Sequence, residues 1–307
     1  MSTEAIPLSH SRSSFRETLR KLVQHPTGLL GLIIIIVFVV VSIAAPLIRP
    51  GDPLRSNLRT RQIPPTVLMS GDELADRGLT RFQYPFGTDV QGRDNLQRVL
   101  YGGRISLRVG LAAVLFAASI GTVLGLVAGY FGGWADTFIT WLVDILLAFP
   151  GILLAIAIVA VLGSSLTNSL IAISITQIPL YIRIVRSVTL SLRRSEYVHA
   201  AESVGAKAPR IIFGHILPNS LSPLLVQITM SIGNAILDVA ALGFLGLGAQ
   251  PPAAEWGSMI SDGFGRFREA PWLSIAPGLA IFFAVVGFNL LGDAVRDVLD
   301  PRLRGQK

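Results

Sequence analysis

The feature that most constrains the fold is a run of twenty uncharged, mainly apolar residues at positions 28–47. A helix of that length can cross the roughly 30 Å hydrocarbon core of a bilayer. The apolar core of a cleaved signal peptide is shorter and closer to the N terminus. Pro46 directly follows Ala44 and Ala45, which also argues against a signal peptide. We therefore expect a retained transmembrane helix rather than a signal peptide.

Five further apolar segments follow, and the charged residues are concentrated between them. They cover residues 109–131, 138–162, 170–187, 222–247 and 272–291. Charged residues make up 15% of the chain, whereas a soluble domain of this length has roughly a quarter. The sequence predicts an all-α, polytopic membrane protein with six transmembrane helices.

A polar insert separates the fourth and fifth predicted spans. Four of its residues recur at helical spacing and share one face of a short helix: Tyr197, Ala200, Ala201 and Val204. The alanine side chains are small, so a partner surface can approach this face closely. Gly205 can adopt a left-handed backbone and end the helix. A second short segment is expected at residues 209–216, leading to Pro218. The alternative is a helix-turn-helix linker with no partner.

The insert resembles the EAA loop of bacterial ABC-importer permeases. The residues that match at the family's spacing are Ala200, Ala201, Gly205, Leu217 and Pro218. His199 and His215 replace Glu and Ile of the general motif, which is usual in the dipeptide/oligopeptide/nickel branch. In that family the loop is a coupling helix that docks into a cleft on the cytoplasmic ATPase. The resemblance implies an ATPase-coupling role for Tyr197, Ala200, Ala201, Glu202, Gly205, His215, Leu217 and Pro218.

Other motifs resemble the same branch in order and spacing. They lie at residues 86–94, 102–107, 244–257 and 288–302. The sequence departs from the branch pattern at two places. Gly243 stands where Ser is usual. The segment Tyr181-Ile182-Arg183 stands where the branch usually has Trp or Tyr followed by Ala-Arg. From the residues alone, Gly87-Thr88-Asp89 predicts a turn with a helix cap. Trp256 and Trp272 suit a membrane-water interface.

The resemblance implies the type I ABC-importer permease fold, with a five-helix core preceded by one N-terminal helix. We expect a tail at residues 1–27, the first span at 28–48 and a loop with an elbow helix at 49–104. The permease core is expected at 105–292, with the coupling loop at 193–219 and a second tail at 293–307. Residues 94–108 are interpreted as an interfacial helix that leads into the second span.

Basic residues determine the expected orientation, because they are enriched in cytoplasmic loops. They occur in both tails and in the insert: Arg12, Arg16, Arg20, Lys21, Arg193, Arg194, Lys207, Arg210, Arg296, Arg302, Arg304 and Lys307. With six spans these three segments share one side, which we assign to the cytoplasm of a bacterial inner membrane. The loop at 49–104 also contains many arginines, but long loops obey this rule poorly. The number of spans therefore places that loop outside.

Several residues inside the spans are candidates for the pore or for helix packing: Asp144, Asn234, Asp238, Asn289, Gly121 and Gly125. A carboxylate such as Asp238 costs about 2.5–3.5 kcal/mol at the centre of a membrane helix, so it should face protein or water. It contacts a charged substrate group, such as a peptide amine, or forms a hydrogen bond between helices, for example with Asn289 or Asn234, or is protonated in place. Together with Gly129, the two glycines recur every four residues, which predicts a ridge for close helix packing.

Enzymatic and nucleic-acid-binding functions have little support. The chain has no cysteine, no phosphate-binding loop, no metal-ligand spacing and no arrangement of a nucleophile with a base. The net charge of +7 comes from arginines that flank the spans and not from a nucleic-acid-binding motif. We expect no catalytic residue, metal ion or cofactor in this chain.

The resemblance implies a permease subunit that forms half of a pathway for peptides or related small solutes, such as nickel chelates, glutathione or opine-like compounds. Its implied partners are a homologous second permease, two ABC ATPase subunits that bind ATP and Mg, and an extracytoplasmic solute-binding protein, in addition to membrane lipid. An ion-gradient-driven secondary transporter is the alternative, although the sequence contains no convincing inverted repeat. A structural subunit without transport is a third interpretation.

Overall fold

The computed structural model describes residues 15–299, with side chains from Arg20 onward. This part of the chain is helical, and its β-structure is limited to one isolated bridge between Thr88 and Asp94. The α-helices are α1 (Phe15–Gln24), α2 (Pro26–Ile43), α3 (Ala45–Ile48), α4 (Gly71–Asp76), α5 (Asn95–Phe131), α6 (Gly133–Leu147), α7 (Gly151–Leu162), α8 (Leu166–Arg193), α9 (Glu196–Ser203), α10 (Ala208–Ile211), α11 (Leu217–Phe244), α12 (Trp256–Phe264) and α13 (Trp272–Leu299). A 3₁₀ turn covers Leu58–Thr60, and a π-helical turn covers Ile212–Ile216.

Five helical stretches are long and apolar enough to cross a membrane. They are α2, α5, α8, α13 and the stretch Ala208–Phe244, which includes α10 and α11. The helices α6 and α7 pass the same test as a pair, bent by 92°. If the bent pair is one span, the described residues contain the six predicted spans.

The third predicted span, at residues 138–162, is not one continuous helix. It breaks between Leu147 and Gly151, where Pro150 is the N-cap residue of α7. Proline has no N–H to continue the hydrogen-bond ladder, and it disfavours a helical backbone at the preceding Phe149. The prediction of one straight helix was wrong because this proline separates two helices of different direction.

The second span differs from the prediction at its start. Asn95–Phe131 is a single helix of 37 residues, so residues 95–108 continue into the span without a break. The Asp94 carboxylate caps the helix, accepting hydrogen bonds from the backbone N–H of Leu96 at 2.9 Å and of Gln97 at 3.4 Å. The separate interfacial helix predicted at 94–108 is therefore the first part of α5.

The described helices also extend beyond the predicted boundaries at both ends of the chain. α1 lies within the predicted tail at 1–27, and α13 continues past residue 292 to Leu299. The predicted tail residues Arg12, Arg302, Arg304 and Lys307, and the side chain of Arg16, lie outside the described residues.

The centre of the fold is the contact between α5 and α8, where glycines bring the two backbones together. A Cβ added at Gly125 would lie 2.8 Å from Val185 Cβ, and one added at Gly129 would lie 2.6 Å from Thr189 Cβ. A Cβ at Gly121 would meet the side chain of Tyr181. Real Cβ atoms do not approach neighbours so closely, so this face of α5 has no room for a larger residue.

The loop before α5 is attached to the start of that helix through buried polar groups. Thr88 Oγ1 donates a hydrogen bond to the Thr60 carbonyl at 2.5 Å. The Asp89 carboxylate pairs with Arg93 at 2.5 Å and with Arg98 at 3.5 Å. Gly87, which begins this turn, has φ +71°. The predicted turn at Gly87-Thr88-Asp89 is present, but the helix cap is Asp94.

The two tryptophans assigned to the membrane interface have different environments. Trp256 is 1% exposed, and its indole N–H donates to the Val99 carbonyl at 2.9 Å. Trp272 is half-buried and donates to the Thr88 carbonyl at 3.3 Å. The interface prediction was wrong for Trp256, because its polar N–H is paired inside the protein and not in the headgroup region.

Candidate functional site

The insert between α8 and α11 exposes one face of the short helix α9. Val198 is fully buried and anchors the opposite face of the helix. Tyr197 is 43% exposed, and Ala200 is also exposed. Ala201 is half-buried, and Val204, just after the helix, is 85% exposed. The exposed face therefore combines an aromatic ring and an aliphatic side chain with small residues between them.

Gly205 ends α9 in a left-handed conformation, with φ +84°. The N–H of Ala206 donates to the carbonyl of Ala201 at 3.0 Å, and the N–H of Gly205 donates to that of Glu202 at 2.9 Å. These two bonds form the Schellman motif, which satisfies carbonyls left free at a helix end. Nothing lies within 4 Å of a Cβ added at Gly205. Glycine is therefore favoured here by the backbone conformation and not by lack of space.

The helix α9 is attached to the end of α5 by side chains. The Glu202 carboxylate lies close enough to the Tyr130 hydroxyl to interact with it. The Arg193 guanidinium at the end of α8 lies over the Tyr130 ring, 5.6 Å from its centroid. His199 lies 3.6 Å from the Glu202 carboxylate. The last residues of α5 and of α8 therefore lie next to α9. We call this end of the helices the insert end of the spans.

The return from the insert is continuous with the fifth span. α10, the π-helical turn and α11 follow one another without a gap, so the separate segment predicted at 209–216 is the beginning of the Ala208–Phe244 stretch. Pro218 has no N–H to bond back within the preceding turn, which is consistent with the π-helical turn there. Ile211, Ile212 and Ile216 are buried and hold this stretch to the core.

The remaining residues assigned to coupling lie around this turn. The His215 and Tyr197 rings are 6.1 Å apart, which brings the two halves of the insert together. The His215 carbonyl accepts a hydrogen bond from Asn219 Nδ2 at 2.5 Å. Leu217 is half-buried and Pro218 is exposed.

Two ion pairs connect α6 with α8. Arg183 donates to Asp144 at 3.0 Å, and each side chain is 59% exposed. Arg186 makes two bonds to Asp136, of 2.5 and 2.8 Å, and this pair is more buried. Asp144 was a sequence candidate, but Arg183, Arg186 and Asp136 were not. Asp144 and Arg183 lie on helices from two different predicted spans, so no local spacing in the sequence could have paired them.

Asp238 has a different partner from those predicted. Its side chain is half-buried and interacts with Gln177 of α8. Asn234 is exposed, and Asn289, also exposed, lies beside Gly233. The predicted pairing with Asn289 or Asn234 was wrong, because the packing of α11 against α8 brings Asp238 to Gln177. Gln177 Oε1 is buried with no hydrogen-bond partner among the described residues.

Comparison with family models gives two matches. Residues 121–305 match the binding-protein-dependent transport system inner membrane component family. Residues 13–65 match the N-terminal TM domain of oligopeptide transport permease C. The first match covers more than half of the chain.

Curated proteins give matches over most of the chain. It is 48% identical over 292 residues to the dipeptide transport system permease protein DppC of Alkalihalophilus pseudofirmus, covering 95% of this chain and 91% of that protein. It is 44% identical to DppC of Haemophilus influenzae, covering 92% of each chain. It is 50% identical over 218 residues to the glutathione transport system permease protein GsiD of Pectobacterium atrosepticum, covering 71% of this chain and 72% of that protein.

Among solved structures, the fold is similar to a chain of the MetNI methionine ABC transporter. The TM-score is 0.52 at 18% sequence identity, covering 66% of this chain and 97% of that chain. At this level of identity the similarity concerns the fold alone.

Proposed function

The chain belongs to the family of inner membrane components of binding-protein-dependent transport systems, and we propose that it forms half of a pathway that imports peptides or related small solutes. It is a multi-pass membrane protein and the permease subunit of an ABC importer, and it is not itself an enzyme. The family predicted from the sequence motifs is thereby confirmed. Nothing in these similarities favours the ion-gradient alternative.

The observation that carries the proposed coupling role is the attachment of α9. Its outer face, with Tyr197 and Ala200, is exposed in the single chain. Its inner side is joined to α5 through Tyr130 and Glu202. A force applied to the outer face therefore reaches the spans through side-chain contacts as well as through the backbone. We assign that force to movement of an ATPase subunit.

The proposed partners follow from this role. A homologous second permease completes the pathway, two ABC ATPase subunits bind ATP and Mg, and an extracytoplasmic binding protein delivers the solute. The insert and both tails, at 1–27 and 293–307, are placed in the cytoplasm of a bacterial inner membrane, and the loop at 49–104 is placed outside. Arg193, Arg194, Lys207 and Arg210 of the insert support this orientation.

The proposed substrate class follows from the names of the relatives. They are named for dipeptide transport and for glutathione transport. Both kinds of solute are small peptides that carry an ammonium group and a carboxylate. Peptides are therefore the first compounds to test, followed by nickel chelates and opine-like compounds.

The proposal is tested by reconstitution into proteoliposomes, first of this chain alone and then with its neighbouring permease, ATPase and binding-protein subunits. We expect uptake of a dipeptide that depends on ATP and on the binding protein, and only in the complete assembly. Uptake by the chain alone, driven by a proton or sodium gradient, would contradict the proposal and favour a secondary transporter.

A further inference from the structure

The ion pair between Asp144 and Arg183 joins two helices inside the predicted spans. Asp144 is eleven residues into α6, which begins at the insert end. At about 1.5 Å per residue this is about 16 Å along the helix. Arg183 is ten residues before the last residue of α8, or about 15 Å from the same end. Both residues lie inside the apolar segments at 138–162 and 170–187, which are expected to cross the hydrocarbon core.

This pair cannot face lipid. Each side chain is 59% exposed in the single chain. Charged side chains at this depth face protein or a water-filled cavity, because the bilayer core does not solvate them. The surface around Asp144 and Arg183 must therefore be covered by another chain or lie on an aqueous pathway.

The exposed face of α8 around Arg183 favours the aqueous pathway. Residues at spacings of three and four share one face of a helix. On this helix they are half-buried Thr176, Leu180 at 41% exposure, Arg183 and exposed Ser187. Thr176, Arg183 and Ser187 thus place polar groups on about three turns of a membrane-crossing helix, with Leu180 between them, on a face turned away from the core of its own chain.

The bonding of the pair leaves capacity for a ligand. Within the described residues, Arg183 and Asp144 are joined by one contact, from a single guanidinium nitrogen to one carboxylate oxygen. The neighbouring Arg186 and Asp136 pair makes two contacts and is more buried, which is typical of a structural brace. The remaining donors of Arg183 and the second oxygen of Asp144 are available to a solute.

We propose that Arg183 binds the carboxylate, and Asp144 the ammonium group, of a zwitterionic solute as it crosses the membrane. This inference rests on the proposed function. The guanidinium can bind a carboxylate through two parallel hydrogen bonds, and the carboxylate of Asp144 accepts from an ammonium group. When the solute binds, Arg183 exchanges the Asp144 carboxylate for the carboxylate of the solute, and Asp144 exchanges the Arg183 guanidinium for the ammonium group of the solute. The pair therefore closes on itself in the empty state, and no net charge is left in the membrane.

The test uses the complete importer in proteoliposomes and an unmodified dipeptide at saturating concentrations of its binding protein. The double variant Asp144→Asn with Arg183→Gln keeps hydrogen-bonding groups but removes both charges. We expect uptake to fall about tenfold or more, because two charge-assisted bonds to the solute are lost. Recovery of the complex and stimulation of the ATPase by loaded binding protein should persist. The matched control is Asp136→Asn with Arg186→Gln, which also keeps hydrogen-bonding groups and removes both charges together. Because no unpaired charge is left behind, uptake should remain within about twofold.

Three outcomes would overturn the inference in different ways. Uptake within twofold of wild type in the Asp144 and Arg183 double variant means that the pair is dispensable or a brace. Loss of the second permease from the purified complex means that the pair is covered by that chain. Absence of ATP-driven uptake by the wild-type assembly overturns the proposed function itself.

A second measurement tests whether the face is wet. The chain has no native cysteine, so Ser187→Cys can be labelled alone with a charged methanethiosulfonate reagent. In the assembled importer we expect reaction in at least one of the ATP-free and ATP-bound states, and slower reaction with saturating dipeptide. Lack of reaction in both states would contradict an aqueous pathway along this face of α8.

Discussion

Replacement of Gly205 tests whether the insert works as a rigid coupling element. Gly205 has φ +84°, a backbone conformation that an L-residue with a Cβ adopts at a cost of about 1–2 kcal/mol. A Cβ at this position meets no atom within 4 Å, so steric collision adds nothing in the Gly205→Ala variant. A β-branched residue is a stronger outlier in this region, so Gly205→Val should cost more than Gly205→Ala.

This strain should displace the end of α9 without unfolding the spans. A cost of one or two kcal/mol changes an equilibrium by a factor of about 5–30. The strain favours backbone conformations that lack the two hydrogen bonds at the end of α9, which the N–H groups of Gly205 and Ala206 donate. We expect normal membrane insertion, weaker recovery of the ATPase subunits and lower ATP-driven uptake, in the order wild type, Gly205→Ala, Gly205→Val.

Gly214 provides a matched control in the same insert. It also has open space around an added Cβ, but its φ is not positive. Gly214→Ala should therefore leave ATPase recovery and uptake close to wild type. The reasoning is refuted if Gly205→Val supports full uptake with normal recovery of the complex, because the insert would then be only a linker. It is also refuted if both glycine positions respond equally, because the effect would not depend on the left-handed turn.

Three further predictions concern the spans and their orientation. Asp238→Asn keeps a group that can interact with Gln177 but removes the charge; unchanged uptake of every peptide tested would rule out an essential charge, whereas lower uptake with normal complex yield would support a pore-facing role. Gly125→Val places a side chain 2.8 Å from Val185 Cβ and should reduce the yield of folded protein on gel filtration, whereas Gly278→Val, with open space, should not. A cysteine at Asp72 should react with an impermeant reagent from outside the cell, and labelling only from the cytoplasmic side would contradict the proposed topology.

The spans were predictable because their physical cause is local in sequence. Residues 28–47 lack any charge over the length needed to cross a bilayer, and no tertiary contact is required to recognise this. Gly205 was predictable for a similar reason, because a glycine after a short helical pattern is favoured at a left-handed helix end.

The break after α6 was not predictable in the same way. Pro179, Pro223 and Pro277 lie inside α8, α11 and α13, whereas Pro150 separates two helices that differ by 92°. The same residue type therefore has two outcomes. Proline weakens the ladder in each case, and the packing of the surrounding helices decides whether the chain continues or turns.

The pairings inside the membrane depend on tertiary packing and were missed or misassigned. The sequence drew attention to Asp144 and Asp238 because a carboxylate is costly in a membrane helix. It could not identify Arg183 or Gln177 as their partners, since both lie on α8 and approach only when the helices pack. Trp256 was misassigned for the same reason, because its burial against Val99 is a tertiary contact.

The connection between the insert and the ion pair follows from which helices are rigidly joined. α8 leads to α9 through a short turn, and α9 contacts α5 through Tyr130. α6 instead follows α5 through Gly132 and Gly133, both with positive φ, which form a sharp turn rather than a continued helix. Under the proposed coupling, a force on α9 therefore acts directly on α8 and only indirectly on α6. Two ion pairs join α8 to α6: the Arg186 and Asp136 pair has two bonds and lies nearer to the insert, and the Arg183 and Asp144 pair has one bond. Under the same proposal, movement of α8 relative to α6 acts on the pair proposed to bind the solute as well as on the two-bond pair nearer to the insert.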